Sequence, residues 1–148
     1  MIDIFSLSVE EMASKIKNGQ LTSVEVCEKY IERINKFEKD IKVWAYFDKK
    51  ILLEKAIDAD EHRRSGKPVG SLHGVPVALK DIIGTVDMPT ECGTVIRKGK
   101  SYSQDAEIVE LLHAAGAIVM GKTNTSELAY LGPPKTTNPH DYSRTPGG

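Results

Sequence analysis

Gly74-Val75-Pro76-Val77-Ala78-Leu79-Lys80-Asp81 and Gly116-Ala117-Ile118-Val119-Met120-Gly121-Lys122-Thr123 are the stretches whose reading decides the fold. Each holds an unbroken apolar run, 75–79 in the first and 117–120 in the second, with a glycine before it. A strand with one wet face alternates polar and apolar residues, whereas a strand covered on both faces does not. Between them, residues 105–115 have helical spacing, with Ile108, Leu111, Leu112 and Ala115 on one face and Gly116 placed as the C′ residue. Two such runs joined by a helix predict parallel strands buried on both faces, and hence an α/β fold.

Outward from that core, the N-terminal third reads as helices. Ser8-Val9-Glu10-Glu11 carries the serine and glutamate of a capping box, with Leu7 and Met12 placed as a hydrophobic staple. Asn18-Gly19 should end that helix. A second box, Thr22-Ser23-Val24-Glu25, opens another helix with an apolar stripe of Val26, Cys27, Tyr30, Ile31 and Ile34. On that stripe Cys27 reads as packing rather than chemistry. Residues 43–47 (VWAYF) predict a short strand. A third helix is expected over about residues 49–64, with Leu52, Leu53, Ala56 and Ile57 inward and Ser65-Gly66-Lys67-Pro68 ending it. Residues 133–148 read as loop. The expected organisation is a single, incomplete domain over 1–148, with N-terminal helices over 1–65 and the start of the α/β core over 66–148.

Length and composition narrow the classes further. At 148 residues the chain can bury one real core. Its 20 basic and 21 acidic residues leave a net charge of −1, which gives no electrostatic reason to expect nucleic acid or an anionic membrane as partner. The N-terminus lacks a basic region followed by an apolar core, and no stretch is long enough to span a bilayer, so a cytoplasmic protein is expected. Cys27 and Cys92 match no metal or redox spacing. His62, His73, His113 and His140 are scattered, and His113 reads as a boundary or surface residue. No metal and no cofactor is expected.

Gly116-Ala117-Ile118-Val119-Met120-Gly121-Lys122-Thr123 also has the letters of a phosphate-binding loop. The context does not fit. Such a loop follows a strand and curls its backbone N–H groups onto phosphates, but here a helix precedes it and the intervening residues are themselves strand-like. Lys80 is the sharper candidate, because it closes an apolar strand at the end where open α/β sheets place their sites. A lysine drawn into such a place loses hydration, its charged form is disfavoured, and the neutral amine can act as a base. The plainer reading is a lysine reaching solvent from a strand end. Asp81 beside it reads either as an ion partner or as a loop cap.

At these residues the chain resembles the amidase-signature family. The segment Gly70-Ser71-Leu72-His73-Gly74-Val75-Pro76-Val77-Ala78-Leu79-Lys80-Asp81 is similar to the family's stretch around its catalytic lysine. In the same order follow Thr90-Glu91-Cys92-Gly93-Thr94, then Leu112-His113-Ala114-Ala115-Gly116-Ala117 with Gly121-Lys122-Thr123-Asn124, then Asn138-Pro139-His140 and Arg144-Thr145-Pro146-Gly147-Gly148. The resemblance implies an α/β/α fold with a mixed sheet covered by helices. It implies hydrolysis of a small-molecule amide through a serine, a cis-serine and a lysine, with Lys80 as the base. The relayed proton frees a serine to attack the amide carbon, an acyl-enzyme forms, the amine leaves, and water releases the acid. Both serines of the family follow the Pro-Gly-Gly, and Ser101, Ser103, Ser126 and Ser143 do not occupy their positions.

Several expectations attach to that resemblance. If these residues are the whole protein, no amidase activity is expected, and the exposed edge of a cut sheet would favour self-association. Thr125-Ser126-Glu127-Leu128 replaces the Met-Asp-Glu-Phe-like stretch of the tRNA-dependent amidotransferases, which points to the stand-alone amidases. The competing readings are a non-catalytic binding remnant and the amidase-like subunit of a glutamine amidotransferase. Residues 130–136 are expected, by analogy, along one wall of the acyl pocket.

Overall fold

The computed structural model describes residues 2–147. Four helices and three strands follow one another as α1 (Val9–Lys17), α2 (Ser23–Ile41), β1 (Trp44–Phe47), α3 (Lys49–Arg64), β2 (Pro76–Lys80), α4 (Glu107–Ala114) and β3 (Ile118–Thr123). The strands form one sheet in the order β1-β3-β2. Two compact units are interleaved along the chain. One comprises Met1–Arg33, Asp48–Val77 and Glu110–Met120, and the other Ile34–Phe47, Ala78–Val109 and Gly121–Gly148.

The first unit is built on helix caps. Ser8 accepts from the Glu11 N–H while Glu11 accepts from the Ser8 N–H at 2.8 Å, so both halves of the expected capping box are made. The second box also forms, with the Thr22 N–H donating to Glu25 at 2.7 Å and the Glu25 N–H to Thr22 Oγ1 at 3.0 Å. Ile4, Met12, Ala13, Ile16, Leu21, Val26 and Val75 make its core, with Leu7 and Tyr30 packed against it. Gly74 stands in the left-handed region at φ +74°, and a Cβ there would lie 2.0 Å from Ser23 Oγ. Pairing with the second strand begins in this unit, where the Ile118 N–H donates to the Val75 carbonyl at 2.9 Å.

Helix α3 begins and ends where its caps predict, with Asp48 accepting from the Lys50 and Ile51 N–H groups. Its inner face differs from the expectation, because Ile57 is exposed and Asp60 is buried instead. The reason is a polar partner distant in sequence. Asp60 accepts the Ser23 N–H at 2.8 Å and the Val24 N–H at 3.1 Å, satisfying the unpaired first turn of α2.

In the second unit β1 runs antiparallel to β3, with Trp44 opposite Thr123, Tyr46 opposite Lys122 and Phe47 opposite Gly121. The Asp81 N–H donates to the Thr123 carbonyl at 2.9 Å, continuing the same-direction pairing of β2 with β3. The sheet is therefore mixed, as the family resemblance implied. Strand β3 is buried and runs on through Gly121 and Lys122, which the sequence reading placed after its end. Strand β2 is not covered on both faces, since Ala78 and Lys80 are exposed. Strand β2 lies at one edge of the sheet, whereas β3 lies between two neighbours. Helix α4 departs similarly, with Val109 buried while Ile108 and Leu111 are exposed.

Replacing Asp60 by Ala should cost about 3 kcal/mol, because one buried and one half-buried N–H group lose a charged acceptor. Urea unfolding midpoints measure this, and a loss below about 1 kcal/mol would mean that water replaces the carboxylate.

Candidate active site

Lys80 ends β2 and lines a cavity of about 160 Å³ with Val43, Thr123, Asn124, Thr125 and Ser126 on the sheet side and Pro146 and Gly147 from the closing loop. Thr123 Oγ1 donates to the Leu79 carbonyl at 3.3 Å, and Asn124 Nδ2 to the Lys42 carbonyl at 2.7 Å, which fixes two of these walls. Lys80 itself is exposed. The dehydration expected of it is thus not provided by the described residues.

The buried lysine is Lys122, with no exposed surface. Its Nζ donates to Thr90 Oγ1 at 2.6 Å and the Ile83 carbonyl at 2.7 Å, with the Pro89 carbonyl at 3.4 Å and Thr85 Oγ1 at 3.5 Å. Asp81 Oδ1 lies 3.8 Å away and accepts the Glu91 N–H at 3.2 Å. Both threonine hydroxyls spend their protons on carbonyls, Thr85 on Met88 and Thr90 on Ile83. The cage therefore offers lone pairs and no proton, which suits an ammonium. Burial pulls the Lys122 pKa down and the Asp81 carboxylate opposes it. Burial also pushes the Asp81 carboxyl up, against the Glu91 N–H and the Lys122 charge.

Asp81 is thus the ion partner of Lys122, on the neighbouring strand, and the sequence reading had no signal for this pairing. The phosphate-loop reading fails on the same geometry. Its four intervening residues lie mostly in strand β3, Gly116 ends the turn after α4 at φ +81°, and the lysine is sealed from any ligand.

Around the pair, the loop 90–94 is held close to 125–128. The Leu128 N–H donates to the Cys92 carbonyl at 2.8 Å, and Thr94 Oγ1 to Glu127 Oε1 at 2.7 Å. Gly93 sits at φ +66°, where a Cβ would meet the Thr125 carbonyl at 2.8 Å. Cys92, Leu128 and Ala129 also take positive φ without being glycine, a strained conformation that packing must maintain. A cavity of about 580 Å³ is lined by Asp81, Gly93, Thr94, Thr125, Glu127 and residues 133–135 among others. The exposed Tyr130 and Leu131 lie in the chain between Glu127 and these last residues.

In the first unit, folding brings together His62 and His73, which the sequence reading left apart. Their ring centroids are 5.5 Å apart, and their Nε2 atoms meet the Pro68 and Ala59 carbonyls. Among the described residues no group of three or more His, Cys, Asp or Glu could hold a metal. No helix of the described residues is long and apolar enough to cross a membrane.

Comparison with known proteins bears on the family and the fold. The amidase family model matches residues 25–148. A glutamyl-tRNA(Gln) amidotransferase subunit of Salinispora tropica is 37% identical, covering 100% of this chain and 31% of that protein. The native peptide amidase of Stenotrophomonas maltophilia superposes with a TM-score of 0.88 at 29% identity, covering 99% of this chain and 32% of that one. A bacterial aryl acylamidase of the amidase-signature family shares the fold with a TM-score of 0.87 at 23% identity, covering 96% of this chain and 31% of that one. The chain belongs to the amidase family, whose fold its mixed sheet and helices share. It spans about a third of the length of these relatives.

Cys27, on the buried stripe of α2, has its thiol pushed up to about 12 by burial and then by the Asp60 carboxylate. At pH 8 that leaves roughly one thiolate in ten thousand. A thiol-specific disulfide reagent should therefore label Cys27 in the native protein at under about 1% of the rate seen in urea, read by peptide mass spectrometry.

Proposed function

We propose that this chain supplies the lysine arm of an amidase active site, with Lys80 as the base. The observation that carries the reading is the company Lys80 keeps at the end of β2. The residues that follow the Gly121-Lys122-Thr123-Asn124 motif and those of the Pro146-Gly147 turn line one cavity with it. In the family this turn leads to the cis-serine, so a serine arriving there would meet the amine. Gly148 of the motif lies outside the described residues.

In the proposed chemistry the neutral Lys80 amine takes a proton from the bridging serine, which takes one from the nucleophilic serine. The freed oxygen bonds to the amide carbon, and the proton returns along the relay to the leaving nitrogen as the C–N bond breaks. Water then repeats the sequence and releases the acid. Because Lys80 stands exposed on this chain, we propose that the serine-bearing segment also provides its desolvation. Residues 1–65 would serve as the helical layer and 66–148 as the start of the catalytic core, in a cytoplasmic enzyme without metal or cofactor. Where that segment is absent, the open β2 edge would promote self-association.

The substrate class is a small carboxamide, handled by a stand-alone amidase. Support comes from the peptide amidase likeness and from Thr125-Ser126-Glu127-Leu128. Glutamine amidotransfer is the second reading, favoured by the amidotransferase relatives. Ammonia release from acetamide, benzamide and glutamine, assayed on the full-length protein, separates the two. Lys80→Ala should lower turnover by at least about 1,000-fold. Retention of activity would remove Lys80 from the mechanism.

A further inference from the structure

We propose that Lys122 is a positioning residue for the active-site lysine, acting through Asp81; this rests on the reading of Lys80 as base. Lys80, the last residue of β2, is exposed, whereas the next residue, Asp81, is buried, so the two side chains leave the strand end on different sides. Lys80 lines the cavity with Pro146 and Gly147, and Asp81 turns to the buried ammonium. Whatever fixes Asp81 therefore fixes the peptide that aims Lys80.

That peptide is fixed from several sides. The Asp81 N–H is held by the Thr123 carbonyl at 2.9 Å, and its carbonyl accepts the Cys92 N–H at 3.0 Å. The Lys80 carbonyl accepts from both Ile82 at 2.8 Å and Ile83 at 3.0 Å, closing a tight turn directly after the base. The carbonyl of Ile83 is in turn held by Lys122 at 2.7 Å. One ammonium thus grips both the side chain after Lys80 and the end of the turn that its carbonyl nucleates. It also ties the 85–90 loop to strand β3 through Thr90.

A purely apolar residue would fill this interior at less cost, since burying a charged pair is roughly neutral or unfavourable compared with good packing. A hub of directional bonds, by contrast, specifies one backbone path. A displacement of about 1 Å at a base is enough to lower turnover by about 100-fold. Lys122 touches neither the Lys80 amine nor the cavity that holds it, so its effect must travel through the turn.

The test uses the full-length protein, with ammonia release from the best of the three amides above and circular dichroism to confirm folding at the assay temperature. Lys122→Met should lower kcat about 30- to 100-fold with KM changed less than about threefold. Asp81→Asn should act similarly, and the double variant should be no worse than either single one, since the two act on one element. Asp60→Ala, which weakens the other unit, controls for stability and should leave kcat unchanged. Should Lys122→Met not fold, Thr90→Val removes the 2.6 Å contact to Lys122 together with the hydroxyl's weaker bond to the Ile83 carbonyl at nearly constant shape, and about a fivefold loss of kcat is expected. An unchanged kcat in folded Lys122→Met, or in Thr90→Val when the former does not fold, overturns the proposal. If Lys80→Ala is inactive in that case, the reading of Lys80 stands alone; if Lys80→Ala is active, the reading itself has failed.

Discussion

An ammonium without access to water must find every one of its hydrogen bonds inside the protein, and the second unit of this chain is arranged around that demand. Lys122 is fully buried, and the backbone from Asp81 to Thr90 bends so that two carbonyls and two hydroxyls face its Nζ. Leaving such a charge unpaired would cost several kcal/mol. The loop is consequently not free to sample other paths, although it contains no regular structure between β2 and the turn at Val95–Arg97. The interior there is markedly polar, with Asp81, Thr85, Thr90, Thr94, Thr125 and Ser126 buried beside Leu79, Met88, Cys92 and Val109.

The first unit obeys a different logic. Its core is aliphatic, and its polar groups serve helix ends: Ser8 with Glu11, Thr22 with Glu25, and Asp60 across to the start of α2. Each satisfies N–H groups that a helix leaves unpaired in its first turn. One unit is thus organised by apolar burial with polar caps. The other is organised by a buried charge that holds loops in place, the kind of construction expected where a chain must present a side chain in one orientation.

The strained backbone belongs to the same picture. Cys92, Gly93, Leu128 and Ala129 all take positive φ in two loops that hydrogen-bond to each other beside Asp81. Conformations of this kind cost of order 1–3 kcal/mol each for residues other than glycine, and persist only where surrounding contacts dictate them. Exposed Val95, Leu128, Tyr130 and Leu131 sit on or next to these loops, so this part of the unit carries apolar side chains outward.

Local rules alone determined much of this molecule. Both capping boxes, the glycine that stops α1, the bounds of α3 and the existence of β1, β2 and β3 follow from residues within a few positions of one another. The order of motifs from Gly70 to Gly148 was enough to point to the family, because spacing and residue type are properties of the chain itself. Burial was decided only in three dimensions. Asp60 rather than Ile57 faces inward because its partners, Ser23 and Val24, lie far back along the chain. Lys80 is exposed and Lys122 buried although both follow apolar runs, because residues 83–90 close over the Lys122 ammonium while Lys80 is left open by the described residues. A lysine's surroundings are set by which distant segments pack over it, and such contacts are encoded by no local pattern.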